Sequence, residues 1–521
     1  MQPPPDAAAA GLGALKLPLG FAAALGALAL FPRIQDHDTL TASVIGAALA
    51  LLAWALVVWR ARGAEGFRTV VSLRPQHYLQ AVAHTSIFVY WGMYWDPLRQ
   101  AALLIVAQIL FAYAFDILLT WSRGRTYTLG FGIFPIIYST NLFLRFRDDW
   151  FYLQFAMVAI AFLGKEFIRW EREGRRVHIF NPSSLTLAIF SLGLIVTGTT
   201  RITWGEDIAS LLGLPPQMYL FIFLVSLPGQ FLFGVTAMTL PAVLTTSLLS
   251  AVFLHRTGTY YFFDSDIPIA VFLGMHLLFT DPSTSPRTDL GRISFGVMYG
   301  ASVFGLYWLL GWLGVPTFYD KLLQVPLMNL MVRRLDLVAA ARWVSWADPS
   351  RFQLTPRVRS AVYVSAWIVA FTALSSSRVL GDHHPGASIP FWKKACDDGR
   401  AGACHNAAIF YSRACRAGSG LACSELGILQ AAGKVVAAPA KDLFALACRS
   451  ESTAGCENAK VLAAGGKDFR HDDPDEFDLR LVLQEGRGPL KHETLRELNE
   501  LACLQGWPSS CAAIGKPAPR N

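Results

Sequence analysis

All eight cysteines of this chain lie at or beyond position 396, in four pairs of one spacing. The pairs are Cys396/Cys404, Cys415/Cys423, Cys448/Cys456 and Cys503/Cys511, each i, i+8, and an alanine (Ala395, Ala414, Ala447, Ala502) precedes each first member. Residues 1–395 contain no cysteine and are dominated by long apolar runs. Disulfides persist in oxidising compartments, so a tail built on them is expected outside the cytoplasm.

The apolar part is expected in a membrane. A mean hydropathy of +0.39, with 53% hydrophobic and 16% charged residues, lies far from an ordinary soluble chain. The net charge of +8 does not call for nucleic acid, because Lys and Arg gather in short loops between the apolar runs. No Gly-rich phosphate loop, CxxC pair or GxSxG occurs. Runs able to cross about 30 Å of hydrocarbon fall at 13–31, 39–59, 78–94, 98–121, 128–144, 150–166, 181–197, 217–235, 238–254, 267–281, 294–313, 316–332 and 360–377. With the N-terminus inside, the inner loops carry Arg60 to Arg74, Arg123, Arg125, Lys165 to Arg176, Arg287, Arg292 and Arg333 to Arg359. That distribution obeys the positive-inside rule, and thirteen crossings leave the cysteine tail outside. Residues 1–12 hold no basic residue, so the first run reads as an uncleaved helix rather than a signal peptide.

Two polar segments interrupt this pattern. Arg175-Arg176-Val177-His178-Ile179-Phe180-Asn181-Pro182-Ser183-Ser184 opens one run, and Phe279-Thr280-Asp281-Pro282-Ser283-Thr284-Ser285-Pro286-Arg287 closes another. Proline removes a backbone donor and clashes with a preceding helical turn. Irregular backbone at membrane depth is tolerated where it is buried or lines a cavity. Asn181, Ser183, Ser184, Thr280, Asp281 and Thr284 are therefore candidate binding residues on one expected cytoplasmic face. The alternative is that the same residues are helix caps and turn formers. If they share a cavity, Asn181 and Asp281 should lie within about 20 Å, two helix diameters.

An H-[IL]-F-N-P segment followed by TDP-x-[ST]-x-P resembles the NqrB/RnfD family of membrane subunits, and most of all its short relatives found beside enediyne biosynthesis genes. The resemblance covers residues 76–334. It implies a bacterial inner-membrane protein with a ten-helix core and a part in electron transfer or ion coupling. The ion-pumping members carry flavin mononucleotide on a threonine of an S-G-A-T segment. The corresponding loop here, Thr197 to Gly205, has Thr199 and Thr200 but no S-G-A-T, so covalent flavin is not expected. A non-covalent flavin between helices stays open.

Ionisable groups inside spans are costly and usually functional. Asp116 is the candidate ion or proton relay, with a hydrogen bond to a neighbouring helix as the plain alternative. His84, Asn141 and His276 share that ambiguity. Lys165-Glu166 reads as an internal pair, and Trp91, Tyr94, Trp95 and Trp121 as interfacial anchors.

The A-C-x7-C units resemble Sel1-like repeats of the cysteine-rich secreted type, in which each cysteine pair staples one helix to the next across a Gly-containing turn. That resemblance, with one spacing repeated four times, implies bridges within each pair, 396–404, 415–423, 448–456 and 503–511. Metal ligation is not expected there. Repeat arrays bury a shared core and offer a binding face, so a protein partner is expected.

The expected class is all-α, a polytopic helical membrane domain followed by a disulfide-stapled Sel1/TPR-like repeat domain. Its parts are 1–75 (two transmembrane helices), 76–334 (core), 335–358 (amphipathic connector), 359–378 (thirteenth helix) and 379–521 (periplasmic repeats). Gly381 to Pro385 reads as a linker and Lys467 to Pro489 as a charged loop. Two functions fit: a membrane component of an electron-transfer or ion-coupled assembly, or a non-redox transporter-like or scaffold protein anchoring a periplasmic complex.

Overall fold

The computed structural model describes residues 7–63, 67–172, 174–382, 384–483 and 493–517. His383 of the expected linker and residues 484–489 of the expected charged loop lie outside them. Among the described residues the chain is all-α apart from two short strand pairs, and it forms two compact units. One comprises 1–212, 220–245 and 269–368; the other comprises 213–219, 246–268 and 369–521. The repeat unit thus takes in two segments from within the apolar part as well as the tail.

Helices Asp38–Arg62, Asp96–Arg123, Thr236–Thr257, Asp289–Trp312 and Pro356–Ser376 are long and apolar enough to cross a membrane. Asp38–Arg62 shows how the sequence makes such a helix. Leu40, Val44, Ala48, Leu51, Ala55 and Val58 recur at helical spacing and are buried against helices Ala7–Ala27 and Ala102–Arg123. Its other face is also apolar and exposes Leu49, Val57 and Trp59. An apolar exterior on helices of this length fits a membrane protein.

Several expected spans are shorter than a crossing. The runs at 128–144 and 267–281 become helices Phe134–Phe143 and Ile269–Leu277, of 10 and 9 residues. At 1.5 Å per residue each covers about half the hydrocarbon thickness. Burial explains why they can stop there. Ile269 to His276 are all buried, so the irregular backbone beyond them is enclosed by protein. The run at 316–332 becomes a 3-10 turn, Thr317–Lys321, and a helix, Gln324–Ala339, that continues through Arg333 and Asp336. Beyond it the expected amphipathic connector is two 3-10 turns, Ser345–Ala347 and Pro349–Phe352, because Pro349 and Pro356 interrupt any continuous helix.

The strand pairs lie in basic loops. Arg68–Val71 pairs parallel with Thr126–Leu129, and Arg169–Arg172 pairs antiparallel with Arg175–His178, placing Arg169 opposite His178. The hairpin turns at Gly174, whose φ of 70° suits glycine.

In the repeat unit all four expected disulfides are present. Cys396 is bonded to Cys404, Cys415 to Cys423, Cys448 to Cys456 and Cys503 to Cys511, with Cα separations of 4.5–4.7 Å. Each joins the end of one helix to the first turn of the next. Thus Cys423 opens helix Gly420–Ala431, Cys456 opens Thr453–Ala463 and Cys511 lies in Pro508–Ala513. Helix Ala403–Arg416 is stapled at both ends, through Cys404 and Cys415. The alanine before each first cysteine has a backbone role too. Ala395, Ala414, Ala447 and Ala502 each accept, at the carbonyl, the N–H of the residue five positions on (Arg400, Ser419, Ser452, Trp507). This closure needs a left-handed residue just before that donor, and Gly399, Gly418 and Gly506 supply it. The third copy has Glu451 there, at φ 65°. A left-handed non-glycine residue costs about 1–2 kcal/mol. Glu451→Gly should therefore raise stability by up to about 1 kcal/mol after glycine's unfolded-state entropy. Denaturant unfolding measures this, with Glu451→Ala expected to leave stability unchanged.

The described parts of the stretches read as loop and linker are structured. Helix Glu476–Leu483 occupies part of the charged segment. Ahead of it, Arg470 exchanges hydrogen bonds with buried Asn458, at 2.7 and 2.8 Å. His471 Nδ1 lies 2.7 Å from Glu425 Oε1. In the expected linker His384 is buried, 3.0 Å from Asp266 Oδ2 and covered by Tyr260, and Asp382 accepts the Gln217 N–H. These partners belong to segments distant in sequence, which is why a polar stretch looked like a linker.

The hydrogen bond to Glu425 raises the His471 pKa above its ordinary 6.5, against a smaller opposing effect of burial. A raised folded-state pKa means that the contact stabilises the folded loop fully below about pH 6.5. The contribution is lost as pH rises through the folded value. Hydrogen exchange at 470–472 should therefore be slower, relative to the intrinsic rate, at pH 5.5 than at pH 8, and His471→Gln should abolish that difference.

Candidate functional site

The two polar segments meet. Asn181 caps helix Pro182–Thr197, its Oδ1 accepting from Ser184 N and Ser183 Oγ. Its Nδ2 donates to the Leu278 carbonyl at 3.0 Å, beside the second segment. Asp281 accepts from Ser283 N–H and Oγ and from Thr284 Oγ1, with His178 Nε2 3.6 Å away. Thr280 Oγ1 donates to the His276 carbonyl. Buried Asn329 joins the segments: its Oδ1 accepts the Asn181 N–H at 3.1 Å and its Nδ2 donates to the Thr284 carbonyl at 3.0 Å.

Around this junction lies a cavity of about 640 Å³. Asn181, Ser183 and Asp281 are on its wall, and Thr280 lines a smaller adjoining crevice. Ser184 and Thr284 are buried but line neither. The side-chain polar atoms of Asn181, Thr280 and Asp281 are engaged in capping and turn formation, which makes these residues the frame of the site rather than its free chemistry.

The free chemistry comes from the basic residues. Arg74 precedes helix Pro75–Gly92, whose Pro75 is pre-organised for the first helical position. Lys165 ends helix Tyr152–Phe167, and the hairpin contributes Arg169 and Arg176. All four line the cavity with His77 and His178, and Asp281 is the carboxylate on its wall. Lys165 does not pair with Glu166 as expected; Glu166 takes Arg169 at 2.5 Å and Arg123 at 3.4 Å. Arg74, Lys165 and Arg176 have no carboxylate within ion-pair distance among the described residues. The wall is therefore electropositive and suited to an anion.

Other candidates lie elsewhere. Asp116 lies beside Tyr127 and does not line the cavity. Thr199 is exposed, hydrogen-bonded to Thr197 Oγ1 at 2.7 Å, and with Thr200 sits past the far end of helix Pro182–Thr197 from Asn181. Sixteen helical residues span about 24 Å, so this loop and the cavity are separate places. Asn141 pairs with Gln108, and His84 bonds to the Gln80 carbonyl and Ser139 Oγ. Trp91, Trp95 and Trp121 are buried in the protein, while Tyr94 is exposed. The cysteines are structural: Cys396, Cys404, Cys415, Cys423, Cys448, Cys456, Cys503 and Cys511 are all oxidised in pairs, and none lines the cavity.

Sequence reasoning missed Asn329 and treated Arg74 and Arg176 only as loop charges. A lone amide in an apolar run was the available signal for Asn329. No protein-family model matches the chain, and neither does any curated protein or solved structure.

Proposed function

We propose that this chain is a bacterial inner-membrane component of an electron-transfer or ion-coupled assembly. In this reading its cytoplasm-facing cavity binds an anionic ligand and its periplasmic repeats recruit a protein partner. The carrying observation is the cavity itself, where two proline-interrupted segments converge under Arg74, Lys165 and Arg176. Paired chain breaks that line a polar cavity are how membrane transporters build ligand sites.

The orientation has its own support. The cavity's cations come from loops that the positive-inside rule puts in the cytoplasm. Residues 213–216 and 255–266, which the span count puts outside, share a compact unit with the cysteine tail. A reporter active only in the periplasm should work when fused after Asn521 and fail when fused after Arg342; the reverse would overturn this orientation.

Anion binding is tested by thermal unfolding of the purified protein in inorganic phosphate against chloride at matched ionic strength. Phosphate should raise the melting temperature, and Lys165→Ala with Arg74→Ala should remove the rise. No rise in the parent protein would end the cavity reading. Electron transfer further requires a redox spectrum. A purified protein that binds phosphate but shows no flavin or other visible band would favour the non-redox transporter-like or scaffold reading.

A further inference from the structure

A crevice of about 200 Å³ shares Gln80, Phe233 and Leu277 with the cavity. The crevice is mostly apolar, lined by residues such as Leu79, Val82 and Val225, yet two residues of its wall each carry a buried side-chain atom with no hydrogen-bond partner among the described residues: His276 Nε2 and Gln230 Oε1. His276 is 3% exposed and Gln230 1%. Their remaining contacts define their chemistry. His276 Nδ1 lies 2.7 Å from the Phe272 carbonyl, which can only accept, so Nδ1 carries the proton and Nε2 presents a lone pair. Gln230 Nε2 donates to Thr239 Oγ1 at 3.0 Å, leaving Oε1 as an acceptor. The crevice thus offers two acceptors and calls for a donor. A second anionic group there would be repelled, and plain hydrocarbon would leave both acceptors unpaired at a cost.

Beyond the crevice, Val82 and Ser86 also line an outward-facing apolar groove of about 590 Å³ whose walls include Val89, Met93 and Phe221. Through these shared walls the three environments follow one another, cations, then acceptors, then an apolar groove that runs beside helix Pro75–Gly92 from Tyr78 to Met93. That order is the polarity profile of an amphiphile.

We propose that the cavity, crevice and groove together bind one anionic lipid, with a phosphate head, a hydroxyl beside it and a single hydrocarbon chain. The phosphate sits against Arg74 and Lys165, the hydroxyl donates to His276 Nε2 or Gln230 Oε1, and the chain leaves along Val82 and Val89. This rests on the anion-binding reading above and specifies its ligand class.

The test uses the full-length protein in detergent with four probes: inorganic phosphate, glycerol 3-phosphate, a long-chain lysophosphatidic acid, and lysophosphatidylcholine of the same chain length. Each buried methylene is worth roughly fourfold in affinity, so the lysophosphatidic acid should bind at least about 100-fold more tightly than glycerol 3-phosphate. The choline lipid, which lacks net charge, should bind at least about tenfold more weakly than the acid, which separates specific binding from partition into micelles. His276→Phe should weaken the lysophosphatidic acid about tenfold and leave inorganic phosphate unchanged; Gln230→Leu reads the same point should that variant not fold. Equal affinity for glycerol 3-phosphate and the long-chain acid overturns the lipid in favour of a free phosphate compound. Unchanged lipid binding in both variants overturns it in favour of a water held by the acceptors. Failure of inorganic phosphate to bind is a different result and removes the anion-binding reading itself.

Discussion

Reduction of the four disulfides is expected to unfold the repeat tail while helices such as Asp38–Arg62 and Asp289–Trp312 stay folded. Each bridge closes a loop with a sequence separation of 8. On the chain-entropy model a loop of that length contributes about 2–3 kcal/mol. Four together reach roughly 10 kcal/mol, comparable to the whole stability of a small domain. Packing would then have to hold a core in which Ala403, Ala407, Ala414, Ala422, Ala447 and Ala502 are interleaved with Trp392, Phe410, Tyr411 and Leu426. Hydrogen exchange with and without reductant measures this. Unchanged protection in 403–463 after all eight thiols are shown to be free would mean that packing alone holds the tail.

Asn329→Leu should have the next largest effect. Its amide satisfies the Asn181 N–H and the Thr284 carbonyl, both in buried surroundings. Leucine removes both partners, and an orphaned buried polar group costs about 1–3 kcal/mol. A loss of roughly 2–4 kcal/mol follows from two such groups, together with loss of the phosphate-dependent rise in melting temperature, because the two segments framing the cavity come apart. A variant within about 0.5 kcal/mol of the parent, still responding to phosphate, would show that the segments hold together without Asn329.

What could be read from the residues was whatever depends on neighbours a few positions away. The disulfide pairing was expected from one spacing repeated four times, and the structure supplies its local reason: the alanine carbonyl, the left-handed residue and the second cysteine all lie within a few residues of one another. Glu451 at the glycine position, between Cys448 and Cys456, shows that the turn outlasts the loss of its preferred residue when a cystine closes it. The Asn181 cap and the Asp281 turn were equally legible, since their hydrogen bonds reach only two or three residues along the chain.

Span length was less legible. Hydropathy does not distinguish a helix that crosses hydrocarbon from one, such as Ile269–Leu277, buried among other helices, because both environments exclude water. The burial of His384 against Asp266 and the docking of Arg470 on Asn458 were hidden for a related reason: a polar stretch reads as loop until its partner arrives from elsewhere in the chain.

The sequence by itself determined the all-α class, the long apolar helices, the four cystines and the capping of the two interrupted segments. Each rests on local backbone geometry or on the partition of side chains between water and an apolar phase. Only the tertiary structure decided that Arg74, Lys165 and Arg176 surround one cavity, that Asn329 ties its frame, and that His276 and Gln230 face a crevice beside it. Those relations join residues far apart in the chain, and packing rather than any local preference brings them within reach.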